Sequence, residues 1–169
     1  MRVVKLVIIS FVILFAIITV ISLFIPTDIQ ISKAIQINAQ KDSVMLQFSD
    51  PVNWKNWYPS DDSTDLLYIN EKPQGIRLDN RTDLVIKTKK ADEVIANYAG
   101  PGSKDILTGW KVIQASNSVA VHWYMNFHLS WYPWKKFSSL LFEKRYGPVM
   151  EQGLNNLKNY LENNRLSNK

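Results

Sequence analysis

Histidine and cysteine are the first residues to consider for catalysis or metal binding, and this chain of 169 residues has two histidines and no cysteine. His122 and His128 lie six positions apart in a segment that alternates apolar and polar side chains, so both belong to one face of a predicted strand. At ~3.3 Å per residue their attachment points are ~20 Å apart, too far to share a metal ion. We therefore expect both on the outer surface, with no metal site and no cofactor.

Lys33 is the only charged residue on the apolar face of the first predicted strand, residues 29–37. The ammonium group of such a lysine must reach solvent at the rim of the apolar face, pair with a carboxylate or meet an anionic ligand. Lys33 is therefore a candidate polar contact in a cavity. If the protein were an enzyme, Lys33 would be the first candidate for a titratable group in the site, followed by Tyr68 and Tyr98. Gly-x-Ser-x-Gly, phosphate-loop and dinucleotide motifs are absent from the sequence, and we assign no catalytic residue.

The last predicted strand, residues 119–129, is apolar along one whole face. Because side chains alternate along a strand, this face is expected to point into a core or a cavity. Its members are Val119, Val121, Trp123, Met125, Phe127 and Leu129. The opposite, exposed face carries His122, Tyr124, Asn126 and His128.

Two short helices are predicted between the first strand and the middle of the chain. Apolar spacing predicts one over residues 40–48. Asp50 and Pro51 then have the types preferred at a helix N-cap and first position, and Trp54 and Trp57 lie on one face of the helix that follows.

The middle of the chain is rich in residues that favour extended structure. Strands are predicted at residues 66–69, 84–88, 93–98 and 109–115. The predicted connections include an acidic loop with Asp61, Asp62 and Asp65 and a turn at residues 100–102.

The C-terminal part is predicted to be helical. A first helix covers residues 135–145, with Phe137, Leu140 and Leu141 on its apolar side, and Pro148 is predicted to start a second one. The second helix carries an apolar stripe at spacings of three and four, formed by Met150, Gly153, Leu154, Leu157 and Leu161.

The stretch WYPWKKF, residues 131–137, lies where the last strand ends and the first of these helices begins. Trp131, Tyr132 and Trp134 are expected to pack in the corner between sheet and helix. A place at the rim of a pocket and a place at a membrane interface are the alternatives.

Residues 6–25 contain no charge, and a helix of that length spans ~30 Å, the thickness of the hydrocarbon core of a bilayer. No small-residue cleavage site follows, which favours an uncleaved anchor over a signal peptide. Arg2 and Lys5 precede the segment, whereas Lys33 and Lys41 follow later. The positive-inside rule then predicts a single-pass protein with a cytoplasmic N-terminus and an exported domain.

The soluble part, residues 26–169, is nearly balanced in charge, because two of the 20 Lys and Arg residues precede the anchor and all 15 Asp and Glu residues follow it. Nucleic-acid binding would require a clustered basic face, and we exclude it. All six tryptophans lie in this part, and large rigid rings are typical of apolar pockets as well as of cores.

Four stretches resemble the START-related superfamily often called SRPBCC, which includes polyketide cyclases and dehydrases. ISKAIQINAQKDSV is similar to the first strand and the turn into the first helix of the family, and FSDPVNWKNWYP to the segment that follows. SVAVHWYMNF is similar to the last strand, and GPVMEQGLNNLKNYLE to the start of the closing helix. The resemblance implies an α+β helix-grip fold, in which a curved antiparallel sheet wraps around a long C-terminal helix. Here one transmembrane helix, residues 1–25, would precede a helix-grip domain, residues 26–169.

The resemblance also implies a cavity between the sheet and the closing helix that takes a hydrophobic small molecule or a lipid. The corresponding ligand-binding positions would be Lys33, Trp54, Trp57, Trp123, Met125, Phe127, Leu154 and Leu157. A membrane-anchored binding protein is the first functional hypothesis. The alternatives are a cyclase- or dehydrase-like enzyme and a non-catalytic interaction module with a filled core.

Overall fold

The computed structural model describes residues 2–60, 65–101 and 106–167, with side chains up to residue 163. Asp61, Asp62 and the last residue of the predicted turn at 100–102 lie outside the described residues. In chain order the elements are α1 (Arg2–Leu23), β1 (Asp28–Ile37), α2 (Lys41–Ser49), a 3-10 helix (Pro51–Asn56), β2 (Leu66–Ile69), β3 (Lys72–Asp79), β4 (Thr82–Lys89), β5 (Glu93–Ala99), β6 (Ile106–Gln114), β7 (Val119–His128), α3 (Pro133–Ser139) and α4 (Phe142–Ser167).

All seven strands form one antiparallel sheet in the order β1-β7-β6-β5-β4-β3-β2. The first and last strands are paired along their full length, from Asp28 opposite His128 to Ile37 opposite Val119. Every second residue of β7, from Val119 to Phe127, is buried, as the alternation in the sequence predicts.

The concave side of the curved sheet is covered by helices. α4 lies mainly over β1, whereas α2 and the 3-10 helix cover β3, β5 and β6. The predicted apolar stripe of α4 is buried, with Met150, Leu154, Leu157 and Leu161 all at most 9% exposed. The helix-grip fold predicted from the sequence is confirmed.

One strand, β3, was not predicted, because Pro73 and Gly75 are typical of loops. The chain stays extended here because Ile76 and Leu78 pack on the core. In addition, Gly75 lets the backbone of β3 approach the backbone of β4 closely. A Cβ atom at Gly75 would lie 2.1 Å from the carbonyl oxygen of Leu84. β3 therefore completes the sheet between β2 and β4.

The closing helix begins earlier than predicted. α4 starts at Phe142 and continues through Pro148, which is inside the helix and does not start it. The rings of Phe142 and Tyr146 pack on Phe127, with centroids 4.7 and 5.0 Å from its ring. We infer that these tertiary contacts hold the first turn in helical form despite the missing N–H of proline.

The corner interpretation of WYPWKKF is wrong, because its rings face outward. Trp131 is 69% exposed and Trp134 is 60% exposed, while Tyr132 is 39% exposed. The inner side of α3 instead carries Pro133 and Lys136, which are buried.

The predicted apolar side of the helix that contains Phe137 is also wrong in part. Leu140 and Leu141 are 65% and 64% exposed, since α3 ends at Ser139 and the chain turns before α4. Two exposed leucines thus follow the end of α3, while the exposed rings lie at its start.

α1 is long and apolar enough to cross a membrane. Almost all of its apolar side chains are exposed, and Ser22, next to its last residue, is its only buried residue. The helix is therefore not part of the core of the domain.

Candidate functional site on the concave face

The concave face has two ends that differ in how they are covered. The near end is next to α1, where β1 begins and β7 ends, and the far end is where β1 ends at Ile37. Residues paired from β2 to β5, together with residues paired from β6 through β7 to β1, form an inward row across the sheet at the near end. This row consists of Leu66, Ile76, Leu84, Tyr98, Ile106, Phe127 and Ile29.

The middle of the concave face, beyond the near end, is filled by six rings that we call the aromatic core. Its members are Phe48, Trp54, Trp57, Tyr58, Trp110 and Trp123, each at most 6% exposed. Neighbouring centroids are 5.2 to 6.4 Å apart, mostly in edge-to-face or tilted arrangements, which are favourable for aromatic pairs. These rings occupy the space between the sheet and the helices.

The 3-10 helix brings two of these rings into the core. Asp50 caps it, because its Oδ1 accepts a hydrogen bond of 3.0 Å from the backbone N–H of Val52. At about three residues per turn, Trp54 and Trp57 then fall on one side. Their indole N–H groups donate to the carbonyl oxygens of Phe48, at 3.0 Å, and Gln47, at 3.3 Å.

Trp123 is held by a hydrogen bond and by close packing against α4. Its Nε1 donates to the hydroxyl oxygen of Thr108 at 2.7 Å, and that hydroxyl donates to the carbonyl oxygen of Tyr124 at 3.1 Å. Its ring also lies against α4 at Gly153, where an added Cβ atom would be 2.6 Å from it.

Within the described part of the chain, the buried Nε1 of Trp110 has no hydrogen-bond partner.

The near end is apolar but incompletely covered. Several inward side chains here are only partly buried although they pack against the core, namely Leu66, Leu78, Tyr98, Ile106, Phe142 and Tyr146. Of these, Ile106, Phe142 and Tyr146 lie next to Phe127, which is 4% exposed. The near end thus presents an apolar surface with the aromatic core as its floor.

Two tyrosine hydroxyls lie at the boundary between the aromatic core and the near end. The hydroxyl oxygens of Tyr58 and Tyr98 are 2.9 Å apart and share a hydrogen bond. Burial raises the pKa of Tyr58 to about 12, and burial, with the nearby Tyr58, raises the pKa of Tyr98 well above its ordinary value. Both groups are therefore neutral at physiological pH and can donate or accept hydrogen bonds.

Lys33 faces α4, on the apolar side of β1 as predicted. Its Nζ lies 2.7 Å from Oε1 of Glu143 and 2.8 Å from Oε1 of Glu151. The hydrogen bonds to Glu143 and then Glu151 raise the pKa of the Lys33 amine. Gly147 makes room between the two glutamates, because a Cβ atom there would be 3.3 Å from Cε of Lys33. The lysine thus ties β1 to α4.

Sequence comparison identifies the family of this domain. The family model described as "Polyketide cyclase / dehydrase and lipid transport" matches residues 28–162, most of the chain. The chain belongs to this family. No curated protein sequence is significantly similar to it.

Solved structures with the same fold are distant in sequence. XoxI from Bacillus cereus is 13% identical, with a TM-score of 0.59 over 78% of this chain and 94% of that one. A START superfamily protein from Mycobacterium smegmatis is 14% identical, with a TM-score of 0.59 over 79% of this chain and 97% of that one. The di-domain ARO/CYC StfQ from the steffimycin pathway is 10% identical, with a TM-score of 0.63 over 82% of this chain and 52% of that one. At these identities the likeness shows the fold.

The eight predicted site residues of this cyclase/dehydrase-family domain fall into three groups. Trp54, Trp57 and Trp123 belong to the aromatic core. Leu154 and Leu157 are buried on the inner side of α4, and Lys33 is paired with its glutamates. Met125 and Phe127 lie on the concave face towards the near end.

Sequence reasoning missed Tyr58 and Trp110 of the aromatic core, and Ile106, Phe142 and Tyr146 of the near end. The alternation within β6 places Ile106, Thr108 and Trp110 on one face and could have indicated two of them. Nothing in the local sequence indicates that Phe142 and Tyr146 belong to the closing helix, because Pro148 suggests a break before it.

The outer face of β7 has the polar composition that was predicted. His122 and Asn126 are partly exposed, and the hydroxyl of Tyr124 donates to Glu93 at 2.9 Å. His128 lies 2.7 Å from Asp28 and, with Leu107 and Asn126, borders a shallow groove. Within the described residues, no group of three or more His, Cys, Asp and Glu side chains could hold a metal ion.

Proposed function

We propose that this protein is a membrane-anchored domain that binds a hydrophobic small molecule or a lipid between the sheet and α4, at the near end of the concave face. The observation that carries the proposal is the apolar, incompletely covered near end above the sealed aromatic core. Partly exposed inward side chains gain free energy when an apolar guest removes them from water. The family description, which names lipid transport, supports the same class of ligand.

The eight residues predicted from the sequence have different roles in this proposal. Tyr98, Ile106 and Tyr146, added from the structure, contact the ligand, and Met125 and Phe127 are buried directly beneath this contact surface. Trp54, Trp57, Trp123, Leu154 and Leu157 form the floor and the wall that hold the near end in shape. Lys33 fixes the distance between β1 and α4 and reaches a ligand only if a carboxylate releases it.

Hydrogen bonding at the floor fits a ligand that is not purely hydrocarbon. The neutral hydroxyl pair of Tyr58 and Tyr98 offers a donor and an acceptor to a hydroxyl or carbonyl group. A few polar groups in an apolar site typically fix the orientation of a ligand.

The anchor in the proposal is α1, with the N-terminus cytoplasmic and the domain on the exported side. Only a short tether separates Leu23 from Asp28, so the near end stays close to the bilayer surface. A lipid or another apolar molecule dissolved in the bilayer would then have a short path to the near end.

Residues 26–169 without the anchor provide the test. The matches take in 94% of XoxI and 97% of the mycobacterial protein but only 78% and 79% of this chain, which supports a domain that folds without the anchor. The domain is purified, analysed by native mass spectrometry and extracted with organic solvent for lipid analysis. We expect a bound apolar molecule that is released on unfolding.

A matched pair of variants locates the ligand. Ile106 and Leu107 are adjacent in β6 and face opposite sides of the sheet. Ile106→Trp fills the near end and should remove most of the bound ligand, whereas Leu107→Trp adds the same ring to the outer face and should not. Equal ligand content in both variants would place the ligand elsewhere, and a folded domain that never carries a ligand would favour the interaction module.

One observation favours the enzyme hypothesis as a second candidate. Tyr98 is a titratable group that faces the near end, whereas Tyr68 is 62% exposed. Because its pKa is raised, Tyr98 could act as a hydrogen-bond donor to a carbonyl group and not as a base at neutral pH. A Tyr98→Phe variant that binds ligand normally but no longer converts a polyketide-like substrate would support this role.

A further inference from the structure

A set of apolar side chains at the two ends of the short helix α3 is exposed to solvent. We call it the Trp131 patch, and its members are Trp131, Tyr132, Trp134, Leu140 and Leu141. Four of the five are at least 60% exposed. The three rings stack in sequence, with centroids 4.8 and 5.0 Å apart. Three stacked exposed rings, with two more exposed apolar side chains at the other end of the same short helix, are typical of an interaction site.

The Trp131 patch is fixed next to the end of the apolar helix. α3 packs against α1, and the buried Lys136 donates from its Nζ to the carbonyl oxygen of Ile25 at 2.9 Å. The backbone N–H of Leu129 donates to the carbonyl oxygen of Thr27 at 2.7 Å. Two hydrogen bonds therefore hold the segment that carries the patch at the level where α1 ends.

The residue types of the patch suit one environment in particular. Tryptophan and tyrosine have an apolar body and a polar tip, and they concentrate where the hydrocarbon of a membrane meets water. Leu140 and Leu141 add purely apolar side chains, while Lys135, Lys144 and Arg145 are exposed nearby. Such cations can pair with lipid phosphate groups.

We propose that the Trp131 patch lies in the interface of the same bilayer that α1 crosses. The patch adds a second contact to the anchor and fixes the orientation of the domain, with the near end of the concave face towards the membrane. The inference rests on α1 as a membrane anchor, which is part of the proposed function, and it does not require that a ligand is bound.

Tryptophan fluorescence of the full chain in vesicles of phosphatidylcholine and phosphatidylglycerol tests the inference. Four of the six tryptophans are buried in the aromatic core, so Trp131 and Trp134 are the two that a quencher can reach. Their emission is the difference between the wild type and the double variant Trp131→Phe, Trp134→Phe. We expect lipids brominated on the acyl chains near the headgroup to remove most of this difference emission, and aqueous iodide to remove little of it.

A label provides an independent measurement. The chain has no cysteine, so Ser138→Cys on the exposed side of α3 accepts a single environment-sensitive fluorophore. In vesicles the emission of the fluorophore should be shifted to the blue of its emission in water. Adding Trp134→Glu and Leu141→Glu should shift the emission back to the red. Leu46→Glu, an exposed leucine in α2 at 58% exposure, is the matched control and should leave the emission unchanged.

The outcomes separate the two proposals. Difference emission that iodide quenches freely, in a chain that resists extraction from the vesicles by alkaline carbonate, would overturn the membrane contact of the patch and leave the anchor intact. Release of the chain by carbonate would overturn both. Blue-shifted emission that survives the two glutamates would also overturn the role of the patch.

Discussion

Gly153 is the position at which helix propensity and packing oppose each other most clearly. In an exposed helix interior, replacing glycine by alanine stabilises by about 1 kcal/mol. Here the new Cβ atom would lie 2.6 Å from a ring carbon of Trp123 and 2.9 Å from Cδ of Pro59. Both distances are shorter than van der Waals contact, so a neighbour must move.

Trp123 cannot move easily. Its ring is fully buried among other rings, and the hydrogen bond from Nε1 to Thr108 holds its plane. Overpacking of a rigid core costs about 1–3 kcal/mol, and we expect the upper half of this range. After subtraction of the propensity gain, Gly153→Ala should lower the free energy of unfolding by about 1–2 kcal/mol.

The assay is urea unfolding of the full chain in a mild detergent, followed by circular dichroism and tryptophan fluorescence. Asn155→Ala, at an exposed position two residues away in α4, is the matched control and should be neutral or slightly stabilising. In a Trp123→Phe background the cost of Gly153→Ala should shrink, because the smaller ring leaves room for the methyl group.

A Gly153→Ala variant that is as stable as the wild type would refute the reasoning. It would mean that α4 does not approach the sheet through Trp123. The sealed aromatic core, and with it the division of the concave face into two ends, would then have to be abandoned.

Three further predictions test other parts of the structure. Glu71 has a left-handed backbone, with φ of 63°, in the turn between β2 and β3, so Glu71→Gly should raise the free energy of unfolding by about 1 kcal/mol in urea, and Glu71→Ala should not. Thr108→Val removes the acceptor of the buried Trp123 indole and should destabilise by about 1–3 kcal/mol in the same assay, more than Thr108→Ser, which keeps the hydroxyl. Because burial raises the pKa of Tyr58 to about 12, its contribution to stability is complete below the ordinary value near pH 10 and is lost as the pH rises towards 12. The stability of the wild type relative to Tyr58→Phe should therefore fall in this range of pH, and an unchanged difference would contradict the buried position of the hydroxyl.

The sequence by itself determined those features that depend on local pattern. Strict alternation in Val119–His128 identified the buried face of β7, because a strand has only two faces. The same reasoning placed Lys33 on the inner face of β1, and Asp50 with Pro51 identified the start of the 3-10 helix. A long uncharged apolar run was enough to recognise α1.

Only the tertiary structure decided how these elements meet. Lys33 has its two carboxylate partners on α4, more than a hundred residues away in the chain, and no local pattern connects them. The rings of WYPWKKF were expected in a corner, but the side of a short helix that faces inward is chosen by its neighbours, here the carbonyl of Ile25 that binds Lys136. Likewise, an apolar side chain such as Trp57 or Ile106 has the same preference for burial in a filled core as at the border of an apolar ligand site. Whether it fills a core or borders an open site depends on how closely α4 and the sheet approach, and this distance is a property of the whole packed domain.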